Sequence, residues 1–311
     1  MKIYYSLEDI KDMDETVVAL GNFDGVHLGH QEIIRRTVES ARAAGLASAV
    51  FTFSNHTSTV LPGMEPVKNI LYEEEKIKII EEFGIDYMID IPFTEEILSM
   101  SPESFIKDIL VDILHIREAY CGFNYSFGHK ARGTPAVLME QGLEYGFGIH
   151  VQEPYMIDDK VVSSTWIRQL ISEGRMEEAA RLMGRMYAIA GEVIVGNRLG
   201  RTIGFPTCNL IVDETMITPP NGVYISMCTC KGNRYHAVTN VGNKPTIGSY
   251  AKNIETHIFD FDDDVYGERI RVEFIRHTRP ERKFGSVEEL KEQIERDSID
   301  ARVYHRQHGT V

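Results

Sequence analysis

Residues 21–30, GNFDGVHLGH, place two histidines three positions apart behind glycines at 21, 25 and 29. Glycines let a backbone approach a ligand closely, and the free N–H groups at a helix start form a site for anions. At such an entrance His27 and His30 would share one side and meet the same phosphates. Around them Gly21, Asn22, Phe23, Asp24 and Gly29 are candidate nucleotide contacts. A second candidate lies at residues 163–168, SSTWIR, where Ser164 or Thr165 can cap a helix and touch a phosphate, with Arg168 one turn on. A third is GNRLGRTIGFPTCN, residues 196–209. Its Gly200 and Gly204 allow a loop to fold over phosphates, and Arg201 adds positive charge. Thr207 and Asn209 alternate along a strand and offer hard oxygens suited to Mg²⁺. Glu255 opens the strand ETHIFDF, from which a carboxylate can take a proton from an attacking hydroxyl. Phosphoryl-type transfer is mainly positioning and electrostatic stabilisation, which such loops supply.

The elements needed to hold these groups can be read from periodicity. In the first part of the chain, strand-like runs at 16–23, 47–53, 87–91, 119–125 and 148–151 alternate with helical segments. Residues 31–44 put Ile33, Ile34, Thr37, Val38 and Ala41 on one helical face and end at Gly45. Ser101-Pro102 and Thr134-Pro135 read as N-caps followed by proline, and Gly146 as a helix end. Repeated strand and helix predict an α/β domain, a parallel sheet covered by helices, with ligands at the carboxyl ends of the strands. The second part reads as six short strands, at 188–195, 208–212, 223–229, 235–241, 255–261 and 270–275, without intervening helices. That pattern predicts a small six-stranded β-barrel, followed by a terminal helix capped by Ser286 with Glu289 and running to about Arg302.

Charge divides the chain at the same place. Of 33 basic and 47 acidic residues, residues 1–184 hold 16 and 30, and residues 185–311 hold 17 of each. Two domains, 1–184 and 185–311, are expected. The net charge of −14 argues against bulk nucleic-acid binding, which depends on basic residues. No apolar run approaches the ~20 residues of a membrane span and the acidic start is unlike a signal peptide, so no membrane partner and a cytoplasmic location are expected. Cys121, Cys208, Cys228 and Cys230 read as reduced thiols, mostly buried. Asp262 to Asp264 read as a solvated turn rather than a calcium loop. The sequence leaves the oligomeric state open, a homo-oligomer included.

GNFDGVHLGH resembles the HxGH signature of nucleotidyltransferases. The whole order of GNFDGVHLGH, GFNYSFG, SSTWIR, GNRLGRTIGFPTCN, NVGNKPTIG, ETHIFDF and FGSVEEL resembles the prokaryotic bifunctional riboflavin kinase/FMN adenylyltransferase family. The resemblance implies a Rossmann-like nucleotidyltransferase domain and a riboflavin kinase barrel. It implies small-molecule substrates, with ATP, riboflavin, FMN and FAD as substrates or products and Mg²⁺ as cofactor. In the barrel, a ribityl hydroxyl would attack the γ-phosphate of ATP, with Glu255 as base and Thr207 and Asn209 holding Mg²⁺ and phosphate. In the first domain the FMN phosphate, already ionised, would attack the α-phosphate of a second ATP, with His27, His30 and Arg168 stabilising charge. Asn124 and Arg279 would contact flavin.

Three departures from the family pattern stand out. Asn55-His56-Thr57 replaces a P-H-P string, and a less rigid loop is expected there. Cys208 replaces an alanine, which would add oxidation sensitivity. Asn124 and Ser126 stand where the family has an acid and an arginine. Two other readings compete: a monofunctional adenylyltransferase with a degenerate barrel, and a barrel acting as an RNA-sensing module. The first would have lost Glu255, Thr207 or Asn209, and the second has no basic excess to support it.

Overall fold

The computed structural model describes residues 1–60, 66–196, 199–246 and 249–309, leaving aside the side chains of Thr59, Leu199, Arg201 and 244–251. Contacts divide the chain into Met1–Ser164 and Thr165–Val311.

In the first unit, six strands form one parallel sheet: β1 Lys2–Tyr4, β2 Thr16–Leu20, β3 Ala47–Phe53, β4 Tyr87–Ile91, β5 Ile116–Gly122 and β6 Gly148–Gln152. Their order is β1-β4-β3-β2-β5-β6, so the chain reverses its direction of travel between β2 and β5. In open α/β sheets such a switch point opens the crevice where ligands bind. Every residue of β2 is buried. Successive side chains of a strand point to opposite faces, and β2 follows that rule: Val18 and Leu20 join the core of Phe51, Phe105, Leu110 and Leu138, whereas Ala19 joins Ile33, Ile34, Val38 and Val50.

Helix α1, Leu28–Ala44, buries Ile33, Ile34, Thr37, Val38 and Ala41 and ends at Gly45 with φ 69°, as its spacing predicts. The capping expectations hold as well. Ser101 accepts from the Ser104 amide, Thr134 accepts from the Val137 amide, and Gly146 closes the helix Pro135–Tyr145 at φ 79°. Strand β1 escaped the sequence reading because three residues carry too little pattern. The segment after Pro102–Ser104 is a π-helix, Phe105–Val111, burying Phe105, Ile106, Ile109 and Leu110. A short hairpin, β7 Met156–Ile157 with β8 Lys160–Val161, completes the unit's strands.

The second unit contains an antiparallel sheet of six strands: β9 Tyr187–Glu192, β10 Cys208–Ile211, β11 Gly222–Cys230, β12 Asn233–Thr246, β13 Ser249–Ile258 and β14 Arg269–Pro280. Their order is β10-β13-β12-β11-β14-β9. Its two edges meet where the Ile194 amide donates to the Asn209 carbonyl at 2.9 Å, which closes the barrel. Inside it a chain of buried hydroxyls crosses three strands, Ser226 to Thr239 at 2.8 Å and Thr239 to Thr256 at 2.9 Å. All four cysteines are free and buried. Burial pushes the thiols of Cys121 and Cys208 up to about 11, so little thiolate forms. Cys208, 8% exposed, adjoins the cavity that Thr207 and Asn209 line.

The terminal helix is longer than expected, Val287–His308, with Ser286 capping through the Glu289 amide at 3.1 Å. The short helix Met176–Met183 also packs on β9 and β14, so it lies with the barrel although it precedes the charge boundary at 184. On the terminal helix His305 is 2% exposed, with its ring stacked on His236 at 4.0 Å. Burial, and next the neighbouring His236, lower its pKa from 6.5 to about 4. The unfolded chain takes up this proton first, so the stabilising contribution is complete above pH 6.5 and is lost as pH falls toward 4. Calorimetric melting temperatures should fall across that window, and His305→Phe, which keeps an aromatic stack, should flatten the decline. An unchanged slope in that variant would remove His305 as its source.

Candidate active sites

In the first unit the turn from β2 into α1 lies at the switch point. Phe23 (φ 48°), Gly25 (φ 79°) and Val26 (φ 32°) all take left-handed backbone values. Such values strain a β-branched residue such as Val26 and are retained where surrounding structure enforces them. Three bonds do so: Thr52 Oγ1 donates to the Asn22 carbonyl at 3.0 Å, the Ile70 amide donates to Asp24 Oδ1 at 3.0 Å, and Ser164 Oγ donates to the Asp24 carbonyl at 2.8 Å. Ser164 is the first residue of its helix, Ser164–Ser172, so its hydroxyl ties the glycine-rich turn rather than capping, contrary to the expectation. Thr165 and Arg168 follow on that helix, exposed and half-buried respectively.

His27 is the N-cap of α1: its Nδ1 accepts from the His30 amide at 3.3 Å. With Nδ1 used as acceptor, Nε2 of the neutral ring carries the proton and is the donor. His27 is 6% exposed and its ring stacks on His30 with centroids 3.6 Å apart. Phe23 meets His30 edge-on at 5.3 Å and is fully buried. Its side chain thus supports the histidine from the core, which leaves only its backbone to meet a nucleotide. A β-carbon at Gly29 would come within 3.3 Å of the His27 ring, and one at Gly21 within 3.1 Å of Phe23. Asn124 stands two residues beyond β5, exposed, with its Oδ1 folded back toward Gly122. Ser126 beside it is exposed.

The loop after β3 is hydrogen-bonded where its prolines are lost. Asn55 Nδ2 donates to the Phe93 carbonyl at 3.1 Å and Asn55 Oδ1 accepts from the Phe93 amide at 2.6 Å, while His56 caps the turn Thr57–Thr59. These hydrogen bonds fix the backbone on which the prolines would otherwise act.

In the barrel the register sets Asn209 of β10 and Asn240 of β12 on either side of Glu255 of β13. Asn209 Nδ2 reaches the Thr207 carbonyl at 3.4 Å and its hydroxyl at 3.5 Å, so the predicted pair shares a side. Asn253 Nδ2 donates to Glu255 Oε1 at 2.8 Å and to Asn209 Oδ1 at 3.3 Å. Two cavities meet at Thr207. One, of about 350 Å³, is lined by Gly196, Thr207, Asn209 and the Asp262 to Asp264 turn. The other, of about 280 Å³, is lined by Glu255, Asn240, His257, Arg279, Phe284 and Asp297 among others. The three aspartates are exposed, as a solvated turn should be, yet they border the first cavity.

Gly200 lies in the helical turn Leu199–Thr202 and Gly204 takes φ 92°, while the Arg201 side chain lies outside the described residues. Arg279 walls the second cavity, but Asp297 binds its guanidinium at 2.6 Å through Nη2 and at 3.0 Å through Nε. His257 Nδ1 is 2.8 Å from the Pro206 carbonyl, and burial lowers its pKa below the ordinary histidine range. Asn253, His257 and Asp297 were missed in the sequence. Asn253 and His257 both carried a signal, a spacing of two from Glu255 on one strand face, whereas Asp297 carried none.

The oxygens present suit a hard cation. Thr207 and Asn209 are neutral, so a Mg²⁺ ion here would depend on nucleotide phosphates for most of its ligands. A β-carbon at Gly196 would fall 2.6 Å from Asn209 Nδ2. Gly196→Ala should therefore displace that amide and weaken Mg-ATP binding to the chain by roughly tenfold, for a loss of ~1.4 kcal/mol. Titration calorimetry giving unaltered affinity would remove Asn209 from the nucleotide site.

Comparison with known proteins finds two families in sequence. The FAD synthetase model matches residues 9–166 and the riboflavin kinase model matches residues 183–305. The chain is 39% identical to the bifunctional riboflavin kinase/FMN adenylyltransferase of Bacillus subtilis (strain 168), over 94% of this chain and 93% of that protein. It is 32% identical to the enzyme of the same name from Escherichia coli (strain K12), over 93% and 92%. Among solved structures, a macrolide-efflux protein from Streptococcus pneumoniae is similar with TM-score 0.88 and 30% identity, covering 96% of this chain and 98% of that one. Among the described residues, no helix is long and apolar enough to cross a membrane.

Proposed function

The chain belongs to the bifunctional riboflavin kinase/FMN adenylyltransferase family, and from that premise we propose how its two sites divide the work. It is a transferase with both activities: ATP phosphorylates riboflavin to FMN in the C-terminal part, and a second ATP adenylylates FMN to FAD in the N-terminal part. Our assignment gives adenylyl transfer to residues 1–184 and phosphorylation to residues 185–311. We propose a cytoplasmic enzyme with small molecules rather than nucleic acid as its partners, a reading that its riboflavin, FMN and ATP substrates support.

The kinase assignment is supported above all by Glu255, which lines the same cavity as Thr207 and stands opposite Asn209. A ribityl alcohol has a pKa far above 7 and must lose its proton as it attacks the γ-phosphorus, so this half needs a base at the junction of the two cavities. Glu255 takes that proton. We place riboflavin in the cavity that contains Glu255 and is also lined by Gly200, and the ATP phosphates in the one lined by Gly196, with Thr207 at their meeting point. The Thr207 and Asn209 oxygens face the phosphates. Thr207 and Asn209 would hold Mg²⁺ together with the ATP, and the ion would neutralise phosphate charge. Arg279, already neutralised by Asp297, contributes a flat wall for the flavin rather than a free cation.

The adenylyl-transfer half needs no base, because the FMN phosphate is ionised near neutral pH. It needs stabilisation of charge on the α-phosphate as pyrophosphate leaves. The start of α1 supplies N–H groups and the positive end of a helix dipole, and His27 and His30 add donors at the same place. Gly21, Asn22, Asp24 and Gly29 let the nucleotide approach. Ser164, Thr165 and Arg168 take the triphosphate, and Asn124, beside the switch point, takes the flavin end.

Glu255→Gln should cut FMN formation by about 10²- to 10⁴-fold while FAD formation from supplied FMN persists. His30→Ala should cut FAD formation by roughly 10²-fold or more and spare phosphorylation. Chromatography of riboflavin, FMN and FAD during one time course reads both. Equal loss of the two activities in either variant would defeat the two-site assignment.

A further inference from the structure

Asn253 is 5% exposed and lies two residues before Glu255 on the same face of β13. Its one amide group serves two neighbours, Glu255 Oε1 at 2.8 Å and Asn209 Oδ1 at 3.3 Å. The orientation of that amide is settled by charge, because the reversed group would turn its oxygen on a carboxylate. Asn253 Oδ1 is left buried and without a hydrogen-bond partner among the described residues. A buried, unpaired acceptor destabilises a fold, so packing alone gives no reason for an asparagine here. Its register partner on β12 is Gly242, which has no side chain to fill the space beside it.

We propose that Asn253 is a positioning residue of the kinase site, holding the Glu255 carboxylate and the Asn209 amide in one fixed arrangement. This rests on the reading of Glu255 as the base. The N–H donated to Glu255 Oε1 holds the carboxylate in place. It also fixes which Glu255 oxygen is occupied. The same amide restrains Asn209, so the orientation of the base is tied to that of the group facing the phosphates. The unpaired Oδ1 remains as an acceptor for a donor that arrives with substrate, and a ribityl hydroxyl has the required chemistry.

The test is the steady-state kinetics of riboflavin phosphorylation by the full chain with Mg-ATP. Asn253→Asp preserves shape but exchanges the donor for a second carboxylate, which repels Glu255 and the Asn209 oxygen instead of holding them. In that variant kcat should fall roughly tenfold, with the KM for riboflavin changed by less than about threefold. Asn253→Leu removes the amide without adding charge and should lower kcat by a smaller factor, again with little change in KM. An unchanged kcat, or a loss carried by KM, in a folded variant overturns the proposal. Loss of the thermal unfolding transition in both variants also overturns it, since Asn253 would then be a structural residue. Glu255→Gln separates the levels: an inactive Glu255→Gln beside a normal Asn253→Asp sinks only the positioning role, whereas an active Glu255→Gln sinks the base assignment beneath it.

Discussion

One hydrogen bond, from the His30 amide to His27 Nδ1, organises the first unit's site. A helix start leaves several N–H groups without partners, and the usual remedy is a small oxygen-bearing cap. Here the remedy is an imidazole. The cap therefore fixes a ring where serine would fix only a hydroxyl, sets its tautomer, and brings the His30 ring against it in a stack. That single choice makes the left-handed turn before it necessary, because the chain must leave β2 and enter α1 within a few residues. The glycines, the buried Phe23 and the bonds to Thr52, Ile70 and Ser164 all serve to hold that turn.

The barrel solves its problem through the two-residue period of strands. One face of β10 and β13 turns Cys208, Leu210, Ile254 and Thr256 into a buried interior. The other carries Asn209, Asn253, Glu255 and His257, of which Glu255 and His257 line the cavity walled by the terminal helix. A slip of one residue in this pairing would exchange the two sets, burying a carboxylate and exposing the core. Register, rather than any single side chain, is what assembles the kinase site. The closure at Ile194 and Asn209 holds β10 against slipping, since β10 has neighbours on both edges only because of it.

Much of this was legible in the sequence. Helix α1, the proline-led caps, the glycine ends and all six barrel strands announce themselves by spacing and by residues with narrow conformational preferences. The pairing of Thr207 with Asn209, and their approach to Glu255, follow from alternation once the strands are known. What could not be read depends on partners distant in the chain. That Asn55 would replace two prolines by gripping the backbone of Phe93 requires knowing that β3 and β4 are neighbours. That Arg279 would be neutralised by Asp297 requires knowing how the terminal helix docks. The burial of Cys208 is of the same kind, because sequence gives the face of a strand but not how dry that face becomes.

The terminal helix has one further implication. Leu290, Ile294 and Asp297 from this helix line the cavity that also contains Glu255, and Asp297 binds Arg279. The barrel's strands end at Pro280, before the helix begins. Fold and pocket are thus separable in the order of synthesis: a ribosome that has released residue 280 has made all six strands but only part of the flavin chamber. A premature stop codon shortly after that point would yield a chain with every strand in hand and one wall missing, because residues 290–297 complete the enclosure.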